Sequence, residues 1–213
     1  MLTVGIFVFD EVEVLDFAGP FEVFSTASRV RAKAGAVPFR TVTIAKSPRP
    51  VRSRGGLQIQ PHHWFGEHPH LDVVIVPGGD VAAELRDDSV IRWIAATATA
   101  ARLTASVCTG AFLLAAAGIL DGKRATTHWE DIDELRQSYP RVKVTAGPRW
   151  IEEGDVVTSA GISAGVDMSL HVVRRLADAH LAAATARQMD YDWRDGGAAA
   201  EPGVTPDGAS PRS

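Results

Sequence analysis

The chain has one cysteine, Cys108. It stands where strand-forming residues, Arg102 to Val107, give way to Thr109-Gly110 and then to an Ala/Leu-rich segment of helical period, Ala111 to Leu120. Strand, sharp turn and helix with a reactive atom at the turn is the geometry of a nucleophile elbow. A thiol there sits among unpaired N–H groups at the positive end of a helix dipole, which favours its anion. The spacing therefore predicts a thiol pKa below the free value of about 8.5. A lone cysteine is otherwise most often a buried, inert hydrophobe. The Thr-Gly turn and the strand-to-helix switch favour the nucleophile.

A nucleophile needs a proton carrier and groups that hold the adduct. Asp16 ends a stretch, Glu11 to Asp16, that follows the first hydrophobic strand, Leu2 to Phe9. A carboxyl close to a thiolate resists ionisation, so Asp16 can hold a proton at neutral pH. Gly78 and Gly79, in Pro77-Gly78-Gly79-Asp80, close the strand Leu71 to Val76. Two glycines there either make a tight turn or bring backbone N–H groups to a reacting centre.

The elements that must position these residues alternate. After the first strand, Gly19-Pro20 opens a helix, Phe21 to Ala34; Phe39 to Ala45 is a strand, and Ser47 to Gly56 an exposed connection. Leu57 to Gln60 is a short strand, and Asp87-Asp88-Ser89 caps the helix Val90 to Ala101. Beyond the elbow come a short strand Ala125 to Thr127, a helix from His128-Trp129 to near Pro140, and strands Val142 to Thr145 and Trp150 to Ser159, the latter folded at Glu153-Gly154. Helices Ser163 to Ala177, capped by Ser163, and Leu181 to Asp190 close the pattern. Alternation of this kind predicts an α/β fold, a doubly wound, mostly parallel sheet flanked by helices in a flavodoxin-like three-layer sandwich. Ligands bind such sheets beyond the C-terminal strand ends, where Asp16, Gly78-Gly79 and Cys108 all fall.

Composition narrows the function. With 213 residues, 46% hydrophobic, the chain suits one domain, 1–194, followed by a Gly/Ala/Pro/Ser tail, 195–213, expected to be disordered. Its net charge of −4 gives no basic footprint for nucleic acid, and no apolar run suits a membrane span. A single cysteine excludes internal disulfides and a cysteine-cluster metal site and points to a reducing, cytoplasmic setting. His62, His63, His68 and His70 crowd one stretch, but their irregular spacing among Pro61, Gly66 and Pro69 reads as a connection, with no metal. Phe7, Phe9, Phe17, Phe21 and Phe24 read as core.

Leu15-Asp16-Phe17-Ala18-Gly19-Pro20, Pro77-Gly78-Gly79, Ser106-Val107-Cys108-Thr109-Gly110 and Gly122 to Trp129 together resemble the ThiJ/PfpI superfamily. The likeness runs from about residue 2 to 190. Its Leu-Asp and Gly-Pro opening with Cys-Thr-Gly is most similar to the isonitrile hydratase branch. The resemblance implies Cys108 as nucleophile, Asp16 as the facing acid, Thr109 as a source of a hydroxyl and an N–H, and Gly78 and Gly79 as N–H donors to the adduct. His128 matches a histidine near the nucleophile in several branches. The implied activity is hydration of a small-molecule isonitrile by a homodimer without cofactor. A glyoxalase or deglycase acting on α-oxoaldehydes and a thiol redox sensor or ligand-binding protein are the alternatives. The His-x-Glu pair that completes the triad of related glutamine amidotransferases is missing downstream of Cys108, since His128-Trp129-Glu130 comes too early. Relatives that regulate transcription carry a C-terminal helix-turn-helix module, and the Gly/Pro tail disfavours that use.

Overall fold

The computed structural model describes residues 1–32, 34–195 and 198–199. In chain order its elements are β1 (Leu2–Phe7), α1 (Val14–Ala32), β2 (Phe39–Ala45), β3 (Val51–Arg52), β4 (Gln58–Ile59), β5 (His63–Trp64) and β6 (Val73–Val76). Then follow α2 (Ala82–Leu85), α3 (Asp88–Ala100), β7 (Leu103–Val107), α4 (Gly110–Ala116), β8 (Arg124–Ala125), α5 (Ile132–Ser138) and β9 (Lys143–Val144). The chain closes with β10 (Trp150–Glu153), β11 (Val156–Ser159), α6 (Ala164–Leu176), α7 (Ala179–Gln188) and β12 (Ala198–Ala199).

The main sheet runs β12-β10-β11-β7-β6-β1-β2-β5. Every neighbouring pair in it is parallel except β10 with β11. Helices α1, α6 and α7 pack together, as do α2, α3 and α4, giving the doubly wound, three-layer α/β arrangement. The central strands β6 and β7 are buried at every residue; β6 reads as a continuous apolar run, while β7 carries buried Thr104 and Ser106 between its apolar residues. Strand order reverses at β1, since the chain leaves it for β2 on one side and returns to β6 on the other. Ligand crevices form at such switch points. No helix among the described residues is long and apolar enough to cross a membrane.

Three local expectations need correction. Helix α1 starts at Val14, not Phe21, so Pro20 lies inside it and Asp16 sits on its first turn. Pro20 has no N–H, so the Asp16 carbonyl loses its ladder donor, a cost that tertiary packing of α1 against α6, α7 and β2 overrides. The Ser47–Gly56 connection is pinned rather than merely exposed. Arg52 N–H donates to Asp10 Oδ1 at 2.7 Å, Glu11 N–H to the Arg52 carbonyl at 2.7 Å, and Arg54 N–H to the Val12 carbonyl at 3.0 Å. Ser163 precedes α6 but makes no capping bond; its Oγ accepts from Arg149 Nη2 at 3.3 Å. Beyond α7, Arg194 N–H donates to Asp167 Oδ1 at 3.0 Å, Asp195 pairs with Arg174, and β12 lies beside β10. The rest of the expected tail, 196–197 and 200–213, lies outside the described residues.

Candidate active site

Cys108 occupies the turn between β7 and α4 with φ 55°, a left-handed conformation that an L-residue adopts only under constraint. Its N–H is shared between the Ser159 and Ala160 carbonyls at 3.2 and 3.3 Å, and its carbonyl accepts from Thr127 Oγ1 at 2.8 Å. These bonds over-determine the elbow and fix where the sulphur points. The side chain keeps 8% of its exposure.

Asp16 is fully buried, at 0% exposure. Its Oδ2 accepts the Gly78 N–H at 3.0 Å, while Oδ1 is buried with no hydrogen-bond partner among the described residues. Burial is the main reason its pKa rises from 3.8 to about 7, with Glu13 adding to the rise. The Gly78 N–H, the neighbouring Cys108 thiol and Arg54 pull the other way. The thiol is pushed up to about 12, first by burial and then by the Asp16 charge. Backbone N–H groups of Thr109 and Ile162 oppose that rise without cancelling it. The elbow expectation of a depressed thiol pKa is therefore overturned: α4 has only seven residues, Gly110 to Ala116, and its end effects lose to desolvation beside a carboxyl.

The two glycines also differ from expectation. Their N–H groups are not free for an adduct, because Gly78 serves Asp16 and Gly79 donates to Thr109 Oγ1 at 2.9 Å. Thr109 Oγ1 in turn donates to the Gly79 carbonyl at 2.9 Å. The loop thus locks the acid and the residue after the nucleophile into one frame. A Cβ at position 78 would stand 2.5 Å from Thr109 Oγ1, 2.6 Å from Thr109 N and 3.0 Å from Asp16 Oδ2, so only glycine fits.

His128 lies apart from the sulphur's bonds. Its Nδ1 accepts the Glu130 N–H at 3.4 Å, and its ring rests on Gly161, where a Cβ would approach Cδ2 to 2.1 Å. It lines a cavity of about 590 Å³ together with Thr127, Trp129, Ile132, Pro148 and Ile162. Cys108 and Asp16 are not themselves among the lining residues; Thr127 and Ile162 connect Cys108 to that space. Sequence reading missed Ile162, which stands in left-handed backbone at φ 47° after β11. The strand-end rule that singles out the loops after β1, β6 and β7 also covers this fourth loop. The clustered histidines are engaged elsewhere: His62 Nδ1 bonds Thr43 Oγ1 at 2.7 Å, and His68 Nε2 accepts from Trp93 Nε1 at 3.0 Å.

A buried acid facing a cysteine on an elbow, at the switch point of a doubly wound sheet, defines a class, and the family comparison agrees. The chain belongs to the DJ-1/PfpI family, whose model matches residues 2–175. It is 35% identical over 192 residues to an isonitrile hydratase of Pseudomonas putida, covering 89% of this chain and 78% of that one. It is also 30% identical to the transcriptional regulator GbdR of Pseudomonas aeruginosa, covering 89% of this chain but only 51% of the regulator. The chain thus spans about half the length of that regulator. Among solved structures, a ThiJ/PfpI family protein from Pseudomonas syringae superposes with a TM-score of 0.80 at 31% identity, covering 90% of this chain and 75% of that one. Drosophila melanogaster DJ-1beta shares the fold at TM-score 0.75 and 16% identity, covering 90% and 99%.

Proposed function

We propose that the protein hydrates isonitriles to N-substituted formamides, with Cys108 as nucleophile and Asp16 as proton carrier. The observation that carries this reading is the buried Asp16 carboxyl, one oxygen unpartnered, beside the elbow thiol. The terminal carbon of an isonitrile must gain both a nucleophile and a proton, which is what a thiol and an adjacent carboxylate supply. With Asp16 raised to about 7 and the thiol to about 12, Asp16 is about half protonated at neutral pH, and in alkali the one proton left to the pair is the thiol's. Asp16 accepts that proton as sulphur bonds to the terminal carbon, then delivers it to the same carbon, leaving a thioimidate on Cys108. Water adds to this carbon, one of its protons goes to nitrogen and the other to the departing sulphur, and the formamide leaves. The Thr109 and Ile162 N–H groups favour the sulphur as it gains negative charge.

Similarity to an isonitrile hydratase supports this reaction over α-oxoaldehyde chemistry. The raised thiol pKa speaks against a peroxide-sensing role, since the thiolate is the readily oxidised form. The test is formamide production from an aryl or alkyl isonitrile by the purified chain, with methylglyoxal as the competing substrate. Cys108-dependent consumption of methylglyoxal alone would transfer the assignment to the glyoxalase reading. The proposal also includes a homodimer, which light scattering at micromolar concentration would refute by returning the 22.7 kDa monomer.

A further inference from the structure

A second buried cluster lies at the far edge of the sheet, where α6 meets β10. The His171 ring stacks on Trp150 with centroids 3.8 Å apart and is nearly enclosed. Its Nε2 lies 2.5 Å from Glu152 Oε2, and its Nδ1 lies 2.8 Å from Arg174 Nη2. A guanidinium can only donate, so Nδ1 must be the bare nitrogen and Nε2 must carry the hydrogen that Glu152 accepts. Arg174 also reaches the segment after α7, pairing with Asp195 and lying 5.5 Å over the Trp193 ring. Glu152 is held from its other oxygen by Arg175 at 2.7 Å.

That segment is tied to the cavity beside Cys108. Arg194 N–H donates to Asp167 Oδ1 at 3.0 Å, and Asp167 Oδ2 accepts from Arg149 Nε at 2.5 Å. Arg149 lines the cavity and also bonds Ser163, the neighbour of Ile162. One chain of contacts therefore runs from the imidazole, through Arg174 and the 193–195 segment, to the cavity wall.

We propose that neutral His171 latches the 193–195 segment onto α6, and that protonation of Nδ1 releases the segment and loosens the Asp167–Arg149 wall of the cavity. Protonation places an N–H and a positive charge directly against the Arg174 guanidinium. The imidazole and Arg174 then repel, and Arg174 cannot hold its place between the ring and Asp195. The charged groups facing His171 are Glu152 on β10, Arg174 and Arg175 on α6, and Asp195 beyond α7. Glu152 and Asp195 favour the imidazolium; burial and Arg174 disfavour it, and burial is the largest effect, so the pKa lies below 6.5. A group whose folded pKa is depressed protects the fold above its unfolded pKa and loses that protection as pH falls through the folded value. The latch is thus closed at neutral pH and opens in acid.

Hydrogen exchange of the full-length chain, corrected for intrinsic rates, reads the latch at the Arg194 amide. Protection should fall, by at most about tenfold per pH unit, as pH drops from about 6.5 toward the depressed His171 pKa, and level off below it, as one-proton linkage requires. In His171→Gln, which cannot gain charge, that pH dependence should vanish. Arg174→Gln, on the more exposed partner, should leave the amide unprotected already at neutral pH with no further response to acid. Equal pH dependence in wild type and His171→Gln, or full neutral-pH protection in Arg174→Gln, would overturn the proposal. Should His171→Gln fail to fold, the Arg174→Gln result decides alone.

Discussion

Two buried clusters of titratable side chains sit at opposite ends of this chain's chemistry. At the β10–α6 edge both nitrogens of His171 are engaged, and both Glu152 oxygens are paired. At the elbow, Asp16 is more deeply buried, yet one of its oxygens has no partner and its neighbour is a thiol that resists ionisation. A saturated cluster holds parts together; an unsatisfied one keeps a free-energy gap that a substrate can close. The contrast separates the site proposed to do chemistry from the one that holds parts together.

The sharpest way to break the contrast is Cys108→Ala, which should abolish formamide production while leaving the fold intact, because no neighbouring residue offers a second nucleophile. Next, Asp16→Asn should lower the rate by ~10²–10⁴-fold, the usual worth of general acid–base catalysis. The same substitution should raise the melting temperature at pH 8. Asp16 ionises near 3.8 in the unfolded chain but near 7 in the fold, so its contribution to stability is complete in acid and is lost as pH rises between those values. The gap corresponds to a few kcal/mol, roughly 4 at most. At the same pH His171→Gln should lower the melting temperature and leave turnover nearly intact, the reverse pattern. A wild-type stability that climbs from pH 4 to pH 8, with Asp16→Asn no more stable, would contradict the frustrated acid.

Smaller effects sharpen the picture. Gly78→Ala drives a methyl onto Thr109 and Asp16 and should cost about 1–3 kcal/mol of stability together with much of the rate, measured by thermal melts and formamide assay. Iodoacetamide labelling of Cys108 should be slow at neutral pH and keep accelerating past the free-thiol value of about 8.5. It should quicken in Asp16→Asn, where the charge that raises the thiol is gone. His128→Gln should cost far less rate than Asp16→Asn, since its ring bonds Glu130 and not the sulphur.

Much of this was legible in the sequence. A near-continuous apolar run marks β1 and a continuous one β6 because buried parallel strands need no alternation, and the Thr-Gly turn marks the elbow because few residues fit so tight a switch. What stayed hidden depends on contacts between distant segments. Pro20 disguised the start of α1, whose first turn carries Asp16, because local propensity opposes what packing enforces. The Gly78 and Gly79 N–H groups looked available, yet Asp16 and Thr109, far off in sequence, take them. The thiol's raised pKa follows from desolvation and a carboxyl brought close by topology, neither of which spacing reveals. His171 read only as a residue of a closing helix, and its partners come from β10 and from beyond α7.

The central claim is that Cys108 and Asp16 together carry an isonitrile through a covalent thioimidate. Intact-protein mass spectrometry during turnover with an aryl or alkyl isonitrile tests it most directly. The account predicts a Cys108 adduct heavier by the full mass of the isonitrile, formed by wild type, absent in Cys108→Ala, and formed far more slowly in Asp16→Asn, with formamide accumulating as the adduct turns over. Formamide released at an undiminished rate by Cys108→Ala, or a wild-type chain that yields neither adduct nor formamide, would contradict it.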